Sequence, residues 1–320
     1  MSRFLIRRVI FGIFTLWVIV TLVFLLYFVA PHDVARQLAG RAATPALLQN
    51  IRHQLGLDLP LLTQYWHFLG RVVHFDFGTS YISRIPVTSI MLRAIPVDIS
   101  LAIGSAIIWL AMGISIGVLA ARRPRSLWDR GATLFVLAGI SMPTFILGLL
   151  MLYVLFYILT LHGITIFPQA GTYTGFTNNP LQWARGLILP WFTLALVTAA
   201  TYSRLTRSSL LETLGEDYIR TARAKGLSER RVVYRHALRS ALTPIVTQFG
   251  IDLATVLGGA VVTESVFGLP GLGRAVIQSI GTQDLPVVIG IVLVASLFVV
   301  VANIVVDAFY AVLDPRVRLA

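Results

Sequence analysis

The chain has 320 residues, 57% of them hydrophobic and 12% charged, against about 25% charged in an ordinary soluble domain. So few charges cannot cover that much apolar side chain in water, which excludes a soluble domain and makes lipid part of the solvent. The net charge of +12 sits in loops beside apolar runs, arguing against nucleic acid, and the lack of cysteine excludes disulfides, Cys-ligated zinc, iron–sulfur clusters and a cysteine nucleophile.

At a rise of about 1.5 Å per residue, a helix needs about 20 apolar residues to cross a hydrocarbon core of about 30 Å. The first such run, 9–31, follows Arg3, Arg7 and Arg8. It is too long for the core of a cleavable signal and ends in bulky Phe28 and Val29, so it is expected to be a retained span. Residues 32–98 form a long mixed segment. Within it, Thr44-Pro45 followed by Leu47, Leu48, Ile51 and Leu55 predicts a short amphipathic helix, and residues 61–73 predict a second. These helices are expected to build an extracytoplasmic cap, either docking a partner or shielding helix ends.

Residues 99–320 are expected to form the core, with runs at 99–121, 131–161, 186–203, 240–263 and 285–306. Gly113 and Gly117 in the second run form a GxxxG pair suited to close helix packing, and Gly258-Gly259 in the fifth reads the same way. Met142-Pro143 falls mid-way in the third run, where proline removes a backbone donor and kinks the helix, so both residues are candidates for a gate. Carboxylates at membrane depth are costly and face a cavity or a partner. Asp252 within the fifth run, Glu264 near its outer end and Asp307 near the inner end of the sixth are therefore further pathway candidates.

The expected architecture is all-α, with six transmembrane helices. Eighteen of the 26 basic residues lie in the N-terminal tail, between runs two and three, between runs four and five, and after run six. By the positive-inside rule both termini are cytoplasmic.

The internal segment 204–239 carries nine of those basic residues and four acidic ones, Glu212, Glu216, Asp217 and Glu229. Ser209 with Glu212, and Thr213 with Glu216, both match a capping box and predict a helix start there. Glu216 and Arg220 are spaced to pair, and Tyr218, Ile219 and Ala222 form a narrow apolar stripe. Gly226 stands where a left-handed residue ends a helix, with Lys225 near the negative end of its dipole, and Ser228 can cap the next one. Such a bracket suits either a groove in a soluble partner, with arginines reaching carboxylates, or an anionic lipid surface.

The run Asp217-Tyr218-Ile219-Arg220-Thr221-Ala222-Arg223-Ala224-Lys225-Gly226-Leu227, followed by His236-Ala237-Leu238-Arg239 and Pro244, resembles the coupling loop of bacterial dipeptide/oligopeptide ABC importer permeases. Of the generic E-A-A-x-x-x-G-x9-I-x-L-P loop pattern only Ala222, Gly226 and Leu238 match; the peptide-importer branch looks like this departure. Phe4-Leu5-Ile6-Arg7-Arg8, His53-Gln54-Leu55-Gly56-Leu57-Asp58, Asp76-Phe77-Gly78-Thr79-Ser80 and Glu264-Ser265-Val266-Phe267-Gly268-Leu269-Pro270-Gly271-Leu272-Gly273 extend the resemblance over nearly the whole chain. It implies a type I ABC importer permease fold in the bacterial plasma membrane. It further implies a heterodimer with a homologous permease, two ATP-binding cassette subunits that bind ATP and Mg, and an extracytoplasmic substrate-binding protein. The eleven residues 217–227 would contact the ATPase.

The chain's one lysine, Lys225, lies outside any G-x-x-x-x-G-K-[ST] run, so this subunit is expected to hydrolyse no ATP. No catalytic pair, cofactor motif or H-x-x-x-H metal motif is present in the sequence. Nickel chelates or glutathione are alternative cargoes. An ion-coupled secondary transporter is the rival class, and it calls for inverted repeats that the sequence does not show.

Overall fold

The computed structural model describes residues 2–29, 44–54, 56 and 58–313 of the protein, which are helices, turns and one isolated bridge between Thr79 and Pro86, with no strand among them. Segment 30–43, Leu55 and the C-terminal Arg316 and Arg318 lie outside the described residues. The helices are α1 (Ser2–Phe24, continuing as a π turn, Leu25–Val29), α2 (Pro45–Gln54), α3 (Leu61–Val73), α4 (Val87–Arg122) and α5 (Leu127–Ser141). After them come α6 (Thr144–Leu161), α7 (Pro180–Leu214), α8 (Asp217–Ala224), α9 (Glu229–Ala241), α10 (Thr243–Leu257), α11 (Val261–Phe267), α12 (Leu272–Gly281) and α13 (Leu285–Leu313).

Among the described residues, five helices are long and apolar enough to cross a membrane: α1, α4, α6, α7 and α13. A sixth is obtained if α9 and α10, bent by 51° at their junction, count as one. The bend follows from Pro244, which sits in the first turn of α10 and has no N–H to continue the ladder of α9.

Several boundaries differ from expectation, each for a local reason. Helix α4 begins at Val87 and carries Pro96 and Asp98 inside it, so the second span includes residues assigned to the cap segment. The third run is broken outright rather than kinked. Met142 before the proline is extended (φ −99°, ψ 117°), as the ring of Pro143 demands, and Pro143 becomes the residue preceding α6.

Neither expected capping box forms. Helix α7 runs through both, because Thr206, Leu210 and Thr213 continue its buried stripe. Thr213 Oγ1 donates back to Ser209 O at 2.8 Å, and Glu216 makes no side-chain cap bond. The start of α7 is capped instead by Asn179, whose Oδ1 accepts from the amides of Leu181 and Gln182 at 3.1 Å.

The centre of the fold is the long α4–α7 pair. A methyl at Gly113 would stand 2.4 Å from Tyr202 Cβ, and one at Gly117 would stand 2.7 Å from Ser203 O, so the GxxxG pair is where the backbones touch. Trp109 and Tyr202 are fully buried beside this crossing, their rings 6.2 Å apart. Gly258-Gly259 does not pack two spans together. It ends α10, with Gly259 at φ +113° and so close to Gly273 that a side chain there has no room.

Candidate functional site

At the end of the molecule where α4 and α7 finish and α5 begins, α8 and α9 fold under the bundle. A cluster of Val118, Leu210, Ile219, Ala222, Val232 and Val233 seals them to α4 and α7. Ile219 is fully buried and Ala222 nearly so. The apolar stripe of α8 therefore faces its own chain and is not free to enter a partner's groove, which corrects the expectation above. Tyr218 is half exposed and donates its hydroxyl to Ser240 Oγ at 3.0 Å, tying α8 to α9.

What α8 offers outward is polar. Asp217, Arg220, Thr221, Ala224 and Lys225 are exposed. Arg220 pairs with Asp217 at 3.4 Å, three residues away, and not with Glu216 as the spacing predicted. Arg223 is spoken for: its Nε and Nη2 donate to the two oxygens of Glu229 at 3.1 and 2.8 Å. That guanidinium holds the Glu229 carboxyl below its ordinary range. Gly226 adopts φ +76°, and its N–H donates to Arg223 O at 2.9 Å, closing the end of α8 as expected. Leu227 turns back to pack on the apolar cluster, and Ser228 precedes α9 without a side-chain cap bond.

Two ion pairs that the sequence reading did not anticipate brace this end. Arg207 on α7 donates Nε and Nη2 to Asp129 at 2.6 and 3.0 Å, and the Arg125 amide donates to the same carboxylate at 2.8 Å. These donors push the Asp129 pKa below the usual carboxylate value. Arg8 on α1 meets Asp307 on α13 at 3.1 Å. Asp307 thus joins the first and last spans.

The other pathway candidates separate. Asp252 is half buried on α10, and its Oδ1 accepts from Gln248 Nε2 at 3.1 Å. Exposed Thr247 and Thr255 lie on the same side of the helix, with exposed Ile251 between them, so the polar stripe of α10 is Thr247, Gln248, Asp252 and Thr255. Met142 and Pro143 lie at the α5–α6 break, half buried and exposed respectively. Glu264 is fully buried and reaches no open path.

Its partner is Asp98, also fully buried. Leu272 N donates to Asp98 Oδ2 at 2.9 Å and Arg274 N to Glu264 Oε2 at 2.8 Å. A methyl at Gly271 would stand 2.6 Å from Asp98 Oδ1 and 2.4 Å from Glu264 Oε2, so only glycine fits between the two carboxyls. Sequence reasoning missed Asp98 because it stands at the end of the mixed segment 32–98. The available signal was an acidic residue abutting an apolar run, answered by Glu264 and a glycine-rich turn.

Residues 113–319 match the family described as binding-protein-dependent transport system inner membrane component, and residues 1–102 match its N-terminal companion. A putative peptide transport system permease protein of Brucella abortus (strain 2308) is 41% identical over 318 residues, covering 99% of both chains. A probable peptide ABC transporter permease protein of Sinorhizobium fredii is 37% identical over 99% of this chain and 100% of its own length. The glutathione transport system permease protein GsiC of Salmonella choleraesuis is 40% identical over 99% of both. Among solved structures, a chain of the MetNI methionine ABC transporter in inward-facing conformations superposes with a TM-score of 0.53 at 20% identity. It covers 71% of this chain and 97% of its own. That likeness concerns the fold alone.

Proposed function

The chain belongs to the binding-protein-dependent transport system inner membrane components, and on that premise we propose how this permease works and with what. It is an inner-membrane permease subunit of an ABC importer, and ATP is hydrolysed by other subunits of the complex. The cargo is a di- or oligopeptide delivered by an extracytoplasmic substrate-binding protein. The working unit is a heterodimer with a homologous permease, carrying two ATP-binding cassette subunits on its cytoplasmic face.

One observation supports the coupling role above others. Helix α8 is fixed to the ends of α4 and α7 through buried Ile219 and Ala222, while Arg220 and Lys225 remain outward. A push on the outer face of α8 would therefore be delivered directly to the two longest spans. In the resulting alternating-access cycle, the polar stripe of α10 around Asp252 lines the path, and the α5–α6 break at Met142-Pro143 yields as the spans swing.

Glutathione, itself a tripeptide, is the second cargo reading, favoured by the 40% identity to the glutathione permease. The test is to purify the tagged chain from its native membrane, identify its companions by mass, and measure ATP-driven uptake of labelled dipeptide, oligopeptide and glutathione in proteoliposomes. A second permease, P-loop ATPases and ATP-dependent peptide uptake are expected. A chain that purifies alone and transports without ATP refutes the reading in favour of a secondary transporter.

A further inference from the structure

Helix α3 has three sides, and only one is covered by the described residues of the protein. Its packed side, Gln64, Tyr65, Phe68, Leu69 and Val72, lies on α1 and α13. Tyr65 OH and Thr21 Oγ1 are hydrogen-bonded at 2.9 Å, and the Phe24 ring is 5.2 Å from Tyr65 and 5.7 Å from Phe68. These contacts fix the depth of α3. Thr21 is inside the first span, Ile6–Tyr27, about 9 Å short of its outer end at about 1.5 Å per residue.

The two remaining edges differ in chemistry. At about 100° per residue, Leu62, Trp66 and Val73 fall together on one edge, and all three are exposed, at 70%, 62% and 68%. Thr63, His67, Gly70 and Arg71 fall on the opposite edge, also exposed. The α1 helix on which α3 packs also presents exposed apolar residues, Leu22, Leu25 and Leu26.

We propose that α3 is embedded in the outer leaflet of the bilayer, with Leu62, Trp66 and Val73 among the acyl chains and the His67–Arg71 edge at the headgroups. The occupant of the apolar edge is lipid, because the edge adjoins a lipid-facing span at membrane depth and because polar and apolar edges are segregated as an interfacial helix requires. Tryptophan at such a boundary fits the same position. Segment 61–73 is then a membrane anchor that holds the outer end of α1 against α13, rather than a cap standing in water as a docking surface.

The chain has no cysteine, so single-cysteine variants L62C, W66C, V73C and H67C can be spin-labelled in the full complex, made with cysteine-free partner subunits and reconstituted in liposomes. Collision with oxygen, which partitions into acyl chains, is compared with collision with a water-soluble nickel chelate. Labels at positions 62, 66 and 73 should favour oxygen several-fold more than the label at 67. Equal exposure of all four to the nickel chelate would overturn the proposal. So would shielding from both probes, or a change at 62 or 66 when the substrate-binding protein is added, since either means that protein covers the edge. If a variant fails to assemble, quenching of tryptophan emission by brominated lipid, compared between wild type and W66F, reads the same contact. Identical quenching in the two would count against it.

Discussion

Asp98 on α4 and Glu264 on α11 turn their carboxyl groups toward each other across Gly271, both without exposure to solvent. Two carboxyl groups buried this closely need donors in place of water. The amides of Leu272 and Arg274 supply one to each. The consequence is mechanical: the α11–α12 turn is pinned to the first part of the second span. Glu264→Gln keeps the shape of the side chain and the oxygen that accepts from Arg274 N, and should cost no more than about 1 kcal/mol. Gly271→Ala should cost about 1–3 kcal/mol, because the methyl overlaps both carboxyls. Thermal unfolding of the purified complex compares the two; equal and large losses would mean that the contact is not the one described.

The Asp129–Arg207 pair predicts a pH dependence. Asp129 has a depressed pKa in the folded protein, so its contribution is complete above the ordinary carboxylate range and is lost as pH falls through the folded value. Asp129→Asn should therefore lower the melting temperature at pH 7, and the gap to wild type should close as pH is lowered below about 4. A gap that stays constant from pH 7 to pH 3 would remove Asp129 as its source.

Gly226 distinguishes conformation from contact. Nothing lies within 4 Å of the place a methyl would occupy, but φ is +76°. Gly226→Ala should cost about 1 kcal/mol of left-handed strain and leave assembly intact. Gly226→Pro cannot adopt that φ and loses the bond to Arg223 O, so about 3 kcal/mol or more is expected, with loss of ATPase attachment. Pull-down of the ATPase subunits by each variant measures the difference.

Ile219 and Arg220 are neighbours with opposite fates. Ile219→Ala removes a fully buried side chain and should destabilise the complex by about 2–5 kcal/mol. Arg220→Glu alters an outward residue whose only ion pair among the described residues is the 3.4 Å contact with Asp217, and should leave the stability within about 0.5 kcal/mol of wild type. The opposite ranking would mean that α8 is turned over.

How much of this was legible beforehand depended on what kind of interaction set each feature. The spans were legible because run length and hydropathy alone decide them, and 61–73 was legible as a helix because its apolar period is local. The start of α4 was not, since Arg93, Pro96 and Asp98 read as loop, and the helix there is held by contacts from α12 and α13 to Val87, Met91, Ala94 and Asp98. The capping boxes failed because the buried stripe through Leu210 overrode local end signals. The role of Glu264 was hidden for a similar reason. Its partner lies on another helix, and no spacing in the chain announces that contact.

The most direct test of the account is ATP hydrolysis by the reconstituted complex, stimulated by peptide and substrate-binding protein, in wild type and Arg220→Glu. The account predicts a fully assembled, normally stable variant whose stimulation is lost together with peptide uptake. Stimulation and uptake at the wild-type level would contradict it, and would take the outer face of α8 out of the coupling mechanism.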